Sequence, residues 1–71
     1  MKSKFAIMLK NNVKVERESR KITQTELAKY LRVSRQTVSS IEKGEYNPTL
    51  YLTLKLSRIL HQPVEYLFQI K

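Results

Sequence analysis

The chain has 71 residues, of which 14 are Lys or Arg and 6 are Asp or Glu, so its formal charge at neutral pH is +8. A chain of this length forms one domain and buries only about 60% of its surface, which leaves too little volume for a deep catalytic pocket. It has no cysteine, which excludes disulfides, thiol nucleophiles and cysteine-based metal sites. Its one histidine, His61, cannot build a metal site by itself.

The N-terminal part contains a short apolar run over residues 5–9. This is shorter than the roughly 7 to 15 residues of a signal-peptide core and far shorter than a membrane span, so we expect a cytoplasmic protein. The run could be a β-strand whose plausible partner is the apolar segment 66–70, or both segments could be frayed ends. The first helix is predicted over about residues 12–20, with Val13 facing inward.

Two short helices joined by a tight turn are predicted over residues 23–44. Thr23 and Glu26 have the spacing of a capping box, which starts the second helix near Gln24. The apolar residues of this helix form one narrow stripe with helical periodicity, namely Leu27, Ala28 and Leu31. The segment therefore has the pattern of a helix-turn-helix.

The third helix is predicted from Arg35 to about Lys43, because Ser34 is a good N-cap and Gly44 can take the positive φ that ends a helix. A rotation of about 100° per residue places three residues on the core side, namely Ser34, Val38 and Ile41. The outward side is entirely polar and comprises Arg35, Gln36, Ser39, Ser40 and Lys43.

An outward face of this kind has the donors and acceptors that base edges and phosphates require in a DNA major groove. A solvated helix face is the plainer alternative. The positive charge favours a polyanion, because neutralised phosphates release counterions. An anionic membrane is a weaker candidate, since the cations are spread along the chain rather than massed on one amphipathic helix.

After Gly44, Pro48 prevents further helix and Thr49 can cap a fourth helix that runs to about Leu60. This helix is more apolar than a monomer of this size requires, so some of its residues could face a second subunit: Leu50, Leu52, Leu54, Leu56, Ile59 and Leu60. Pro63 suits the first turn of a last short helix over residues 64–68. The predicted class is all-α, with five helices in a single domain over residues 1–71 and strand or dimerisation segments at 1–10 and 66–71.

The segments TQTELAKYL, VSRQTVSSIEKG and NPTL, in this order and spacing, resemble the Cro/C1-type helix-turn-helix family of transcriptional regulators, also called the XRE family. The resemblance covers about residues 11–68 and implies a lambda-repressor-like domain in a cytoplasmic, nucleoid-associated protein of bacterial or phage type. The ending PVEYLFQ is similar to compact members of the cytolysin-operon repressor type, which dimerise through their last helices and a small added sheet.

The resemblance also implies roles for individual residues. The family's base-reading positions are matched by Arg35, Gln36, Ser39 and Ser40. Positions that touch the sugar-phosphate backbone are matched by Gln24, Thr37, Lys43, Tyr46 and Asn47. Arg17 and Glu42 match a partly buried salt bridge that orients the recognition helix. The dimerisation segment of compact members is matched by Leu67, Phe68 and Ile70.

Plainer alternatives exist for several of these residues. Gln24 could be an exposed polar residue at a helix start, although a helix N-terminus also favours a phosphate there. Arg35 could contact phosphate or solvent rather than guanine. Arg17 and Glu42 could be two solvated charges.

Arg32 departs from the family pattern, because many relatives have Gly after the second helix. A left-handed conformation would cost Arg32 about 1 kcal/mol, so the turn could instead be right-handed. Arg32 then becomes a possible phosphate contact.

Three classes of function are compatible with a chain of this kind. The first is a homodimeric, sequence-specific repressor of double-stranded DNA that occludes a promoter at an inverted-repeat operator. The second is an antitoxin-like or regulatory module that acts mainly through a protein partner. An enzyme is the weakest, because the sequence has no grouping of nucleophile, base and orienting residue. No cofactor, metal, small-molecule ligand or membrane partner is expected.

Overall fold

The computed structural model describes residues 9–70. Its elements in chain order are β1 (Leu9–Asn11), α1 (Val13–Ser19), α2 (Gln24–Leu31), α3 (Arg35–Glu42), α4 (Leu50–Leu60), α5 (Val64–Leu67) and β2 (Phe68–Ile70). The prediction of five helices with a small sheet from the two ends is confirmed. Each helix lies within one or two residues of its predicted bounds.

Side-chain caps start three of the helices as the sequence predicts. The Thr23 hydroxyl accepts from the backbone N–H of Glu26 at 3.0 Å, and the Glu26 carboxylate accepts from the backbone N–H of Thr23 at 2.8 Å. Ser34 caps α3 by accepting from the backbone N–H of Thr37, and Thr49 caps α4 in the same way. A cap of this kind typically contributes about 1 kcal/mol to stability.

The predicted core orientation of Ser34 is wrong. Its side chain is exposed because it accepts a hydrogen bond across the first turn of α3, whereas Val38 and Ile41 are buried. Apolar side chains from all five helices form the core, namely Val13, Leu27, Ala28, Leu31, Val38, Ile41, Leu52, Leu56, Leu60 and Leu67. The fourth helix also has apolar residues outside the core, because Leu50 and Leu54 are exposed.

Several helix ends use the left-handed conformation. Arg32 has φ 60° and ψ 44°, so the right-handed alternative for this turn is wrong. Its backbone N–H donates to the carbonyls of Ala28 and Lys29, which closes α2. Lys21 and His61 also have positive φ, as does Gly44 at 77° after α3. Left-handed geometry is unfavourable for residues with a Cβ, so Lys21, Arg32 and His61 are strained.

The two ends of the described chain pair as antiparallel strands, with Leu9 opposite Ile70 and Asn11 opposite Phe68. The predicted strand run reached Leu9 from residue 5, and residues 5–8 lie outside the described part of the chain. Phe68 belongs to β2 rather than to the last helix, because the chain leaves α5 extended where the backbone N–H of Asn12 donates to the Leu67 carbonyl at 2.9 Å.

Asn11 ties this sheet to the C-terminal end of α3. Its Nδ2 donates to the Ile41 carbonyl at 2.9 Å, and its Oδ1 accepts from the backbone N–H of Val13 at 3.2 Å. The Ile41 carbonyl also accepts from the backbone N–H of Gly44 at 3.0 Å, so Asn11 adds a further hydrogen bond at the end of the helix. This hydrogen bond links the sheet directly to the third helix.

A second polar contact holds α5 against α1, and we call it the Glu16 cluster (Glu16, Arg20, Gln62 and Tyr66). The Tyr66 hydroxyl donates to Glu16 Oε2 at 2.9 Å, and Arg20 Nη1 donates to Glu16 Oε1 at 2.7 Å. The tyrosine hydroxyl, together with Arg20, lowers the pKa of Glu16. The same hydrogen bond raises the pKa of Tyr66.

Candidate nucleic-acid interface

The outward face of α3 presents the predicted base-reading side chains together. Arg35 and Gln36 are exposed in its first turn, and Ser39 and Ser40 are half-buried one turn later. These groups include guanidinium and amide donors, an amide acceptor and two hydroxyls, which suits hydrogen bonding to base edges. The short serines allow close approach of another surface.

The predicted phosphate-contacting residues lie at the start of α2, in the first turn of α3 and after the end of α3. Gln24 is the first residue of α2 and is half-buried, and Thr37 is half-buried in the first turn of α3. Lys43, Tyr46 and Asn47 are exposed at the end of α3 and in the loop after it. Neither Arg35 nor Lys43 makes an ion pair with an acid in the described chain. Their charges remain available to an anion.

An open depression of about 490 Å³ lies beside this helix and is lined by Ser34, Gln36, Thr37, Ser40, Glu45 and Tyr46. Glu45 was not among the predicted site residues. Its carboxylate can accept from cytosine N4 but repels phosphate, so it restricts what can approach this side of α3. The only sequence signal for Glu45 is its position directly after Gly44.

Arg17 and Glu42 form a buried ion pair between α1 and the end of α3. Arg17 Nε lies 2.6 Å from Glu42 Oε2, with their side chains 9% and 3% exposed. Arg17 Nη2 also donates to Glu42 Oε1 at 3.3 Å, and Nη1 donates to the carbonyl of Ile22 at 2.8 Å. The Glu42 hydrogen bond raises the pKa of Arg17 further above its ordinary value. The pair thus fixes α3 against α1 and the segment before α2.

Gln24 extends this ion pair to the outward face of α3. Its Nε2 donates to Glu42 Oε1 at 3.0 Å, and its Oε1 accepts from Arg35 Nη1 at 3.1 Å. We call Arg17, Glu42, Gln24 and Arg35 the polar junction. The sequence predicted the Arg17–Glu42 pair from the resemblance, but it gave no signal for the two contacts of Gln24.

The three predicted dimerisation residues differ in exposure. Leu67 is fully buried in the core of the chain, so it is not available at the surface. Phe68 is half-buried, whereas Ile70 is 70% exposed. Leu50 and Leu54 on α4 are also exposed. Of the three, only Phe68 and Ile70 are therefore accessible at the surface.

The described residues contain no group of three or more His, Cys, Asp or Glu side chains that could hold a metal ion. His61 is the C-cap of α4, as expected of a helix-end residue. Among the helices of residues 9–70, none has the length and apolar character needed to span a membrane.

Comparisons with known proteins agree with this architecture. The Helix-turn-helix family model matches residues 13–67. An uncharacterised HTH-type transcriptional regulator of Methanocaldococcus jannaschii is 43% identical over 60 residues, which cover 84% of this chain and 91% of that protein. The uncharacterised HTH-type transcriptional regulator YgzD of Bacillus subtilis is 40% identical over the same length, again 84% of this chain and 91% of the relative.

A solved structure supports the fold. The crystal structure of a protein from Bacteroides fragilis aligns with a TM-score of 0.78 at 24% identity. The alignment covers 87% of this chain and 100% of that one. The order and packing of the helices are therefore found in an experimental structure.

Proposed function

The chain belongs to the Cro/C1-type helix-turn-helix family of transcriptional regulators, and we propose that it is a homodimeric repressor that binds an inverted-repeat operator and thereby occludes a promoter. This family is not enzymatic. The observation that carries the proposal is the wholly polar outward face of α3. Arg35 and Gln36 are exposed there beside Lys43, which has no acidic partner among residues 9–70.

In this proposal α3 enters the major groove with its N-terminal end toward the bases. Arg35 forks onto guanine, and Gln36 pairs with adenine. Ser39 and Ser40 let the helix approach closely and donate to or accept from nearby base edges. The α3 contacts therefore provide sequence preference.

The backbone contacts provide most of the affinity but little of the preference. Gln24 binds a phosphate at the start of α2, where the helix dipole favours negative charge. Thr37, Lys43, Tyr46 and Asn47 bind the sugar-phosphate backbone on the other side of α3. Each phosphate that is neutralised adds about 0.9 to the slope of log affinity against log salt.

The dimer is supported by the apolar residues that the single chain leaves exposed. Ile70 lies on a two-stranded sheet that has unpaired edges within the described chain, and open edges readily pair with another strand. We propose that Ile70 and Phe68 contact a second copy and that Leu67 acts only by supporting them from the core. Two recognition helices then read half-sites about 34 Å apart.

The test is selection of DNA fragments from a random duplex pool by the purified protein at about 150 mM salt, where non-specific binding is already weakened. We expect enrichment of an inverted repeat with half-sites about one helical turn apart. Enrichment of single half-sites would contradict the dimer. No enrichment by folded protein would contradict sequence-specific binding.

One observation favours the second candidate, a module that acts through a protein partner. Leu50, Tyr51 and Leu54 are exposed at consecutive turns of α4 and form an apolar stripe. A Leu54→Glu variant that folds and self-associates like the parent would show that the dimer does not use this stripe. If the selected DNA also shows no motif, the protein-partner candidate is favoured over the repressor.

A further inference from the structure

We propose that Glu42 is a positioning residue for base recognition and acts through Gln24 to hold Arg35 in one orientation. Glu42 does not itself face DNA in this proposal, because its side chain is 3% exposed. The inference rests on the DNA-reading function proposed above. It assigns part of the sequence preference to a residue in the interior of the protein.

The hydrogen-bond chemistry of the polar junction allows only one arrangement of Gln24. A carboxylate only accepts hydrogen bonds, so Glu42 requires the amide nitrogen of Gln24. A guanidinium only donates, so Arg35 requires the amide oxygen. The observed contacts satisfy both requirements, with Gln24 Nε2 on Glu42 and Gln24 Oε1 on Arg35.

Glu42 is itself held in place at its other oxygen. Arg17 contacts Glu42 Oε2 at 2.6 Å and is anchored by the Ile22 carbonyl at 2.8 Å. Both charged side chains are almost fully buried, so neither can rotate without losing its partner in a medium that does not solvate it. The ion pair is therefore a fixed reference for the amide of Gln24.

The consequence for Arg35 is preorganisation. One N–H of Nη1 is engaged by Gln24. The remaining guanidinium donors have no partner among residues 9–70 and can form the two parallel hydrogen bonds that guanine O6 and N7 accept. A long exposed arginine without such a partner samples many rotamers, which must be lost on binding. The contact with Gln24 restricts this sampling before DNA arrives.

The decisive variant is Glu42→Gln, which keeps the shape of the side chain but not the chemistry. The amide at position 42 can donate as well as accept, so Gln24 is no longer forced to turn its oxygen toward Arg35. In selections from a random duplex pool, we expect the guanine preference at the base read by Arg35 to fall about 3- to 10-fold. Preferences at other positions should stay unchanged.

The position read by Arg35 is identified independently with Arg35→Ala. This variant should lose the preference at one position of each half-site, and adding Glu42→Gln to it should cause no further loss there. Ile41→Val is the matched control, because it loosens the buried side of α3 without touching the polar junction. It should reduce stability and leave the selected motif unchanged.

The results separate this inference from the proposed function. If the parent protein selects no motif, the DNA-reading function fails and the inference fails with it. If the parent selects a motif that folded Glu42→Gln reproduces, only the inference fails. A uniform loss at all positions would equally overturn it, since that result indicates a purely structural role.

Gln24→Met is the alternative test if Glu42→Gln does not fold. This variant removes the amide between Glu42 and Arg35 and retains the buried ion pair of Arg17 and Glu42. We expect a general loss of affinity from the missing phosphate contact, together with a specific loss at the position read by Arg35. A general loss alone, with the guanine preference retained, would overturn the proposed positioning role.

Discussion

The polar junction and the Glu16 cluster are both networks of charged and amide side chains that join distant helices, but they differ in exposure. The side chains of Arg17 and Glu42 in the polar junction are 9% and 3% exposed, whereas those of Arg20 and Glu16 in the Glu16 cluster are 29% and 12% exposed. Buried charges lose solvation that only their partners replace, while half-buried charges keep part of their solvation and can exchange a partner for water at a lower cost. The first network therefore fixes geometry, and the second mainly adds pH dependence.

The largest effect expected from this contrast is on stability. Arg17→Met leaves the carboxylate of Glu42 buried without its partner, so we expect the free energy of unfolding to fall by about 3–5 kcal/mol. Glu16→Gln breaks the half-buried ion pair with Arg20 and should cost clearly less, because both charges keep part of their solvation. Urea denaturation followed by circular dichroism measures both. Equal losses would show that burial does not distinguish the networks.

The next effect concerns DNA recognition. The double variant Arg35→Ala, Gln36→Ala should lose about 1–3 kcal/mol of discrimination for each base contact and retain weak, salt-sensitive binding. Ser19→Ala, which changes an exposed residue at the end of α1, should bind like the parent. Fluorescence anisotropy with selected and scrambled duplexes provides the comparison. Unchanged discrimination in the double variant would mean that α3 presents a different face to DNA.

A smaller effect on stability is expected when the same backbone strain is relieved at either of two helix ends. Arg32 and His61 both have positive φ, so Arg32→Gly and His61→Gly should each raise the free energy of unfolding by about 1 kcal/mol. If Arg32 contacts a phosphate, Arg32→Gly alone will also reduce the slope of log affinity against log salt by about 0.9. Identical slopes for the two variants would exclude that contact.

The smallest effect is the response of the Glu16 cluster to acid. The folded state lowers the pKa of Glu16 from 4.5, chiefly through the Tyr66 hydroxyl, so folded protein binds fewer protons than unfolded protein at acidic pH. The stability from these contacts is complete above about pH 4.5 and is lost as pH falls through the lowered pKa. Tyr66→Phe removes the main cause and should reduce the loss of stability between neutral and acidic pH.

Urea denaturation at neutral and at acidic pH measures this loss of stability, with Tyr51→Phe as the control. Tyr51 is exposed and its ring faces Lys55 rather than an acid. Its variant should therefore repeat the parent's pH dependence. If Tyr66→Phe also repeats it, the hydroxyl does not hold Glu16 in solution.

The features that the sequence predicted well depend on residues that are close along the chain. The caps by Thr23 and Ser34 act over three residues, and the buried stripe of α2 follows helical periodicity. Local rules suffice for such features. They also placed the outward face of α3, which carries the proposed base contacts.

The features that the sequence did not predict depend on contacts between remote segments. Gln24 meets Glu42 and Arg35 across 18 and 11 residues, and no periodicity relates these positions. Leu67 and Ile70 are both apolar and close in sequence, but only the fold decides that Leu67 enters the core. The left-handed conformation of Arg32 also depends on contacts that the sequence does not show. The steric cost of its Cβ is evident from the residue type, but the hydrogen bonds of its backbone N–H to the carbonyls at the end of α2 are not.

The hydrogen bond from Asn11 to the Ile41 carbonyl has a practical consequence for work with this protein. It makes the terminal sheet part of the support of α3, at the turn that also carries Glu42. A purification tag or fusion partner placed close to β1 or β2 can therefore alter DNA binding without lying near the DNA. Affinities and selected motifs should be measured on protein from which such additions have been cleaved.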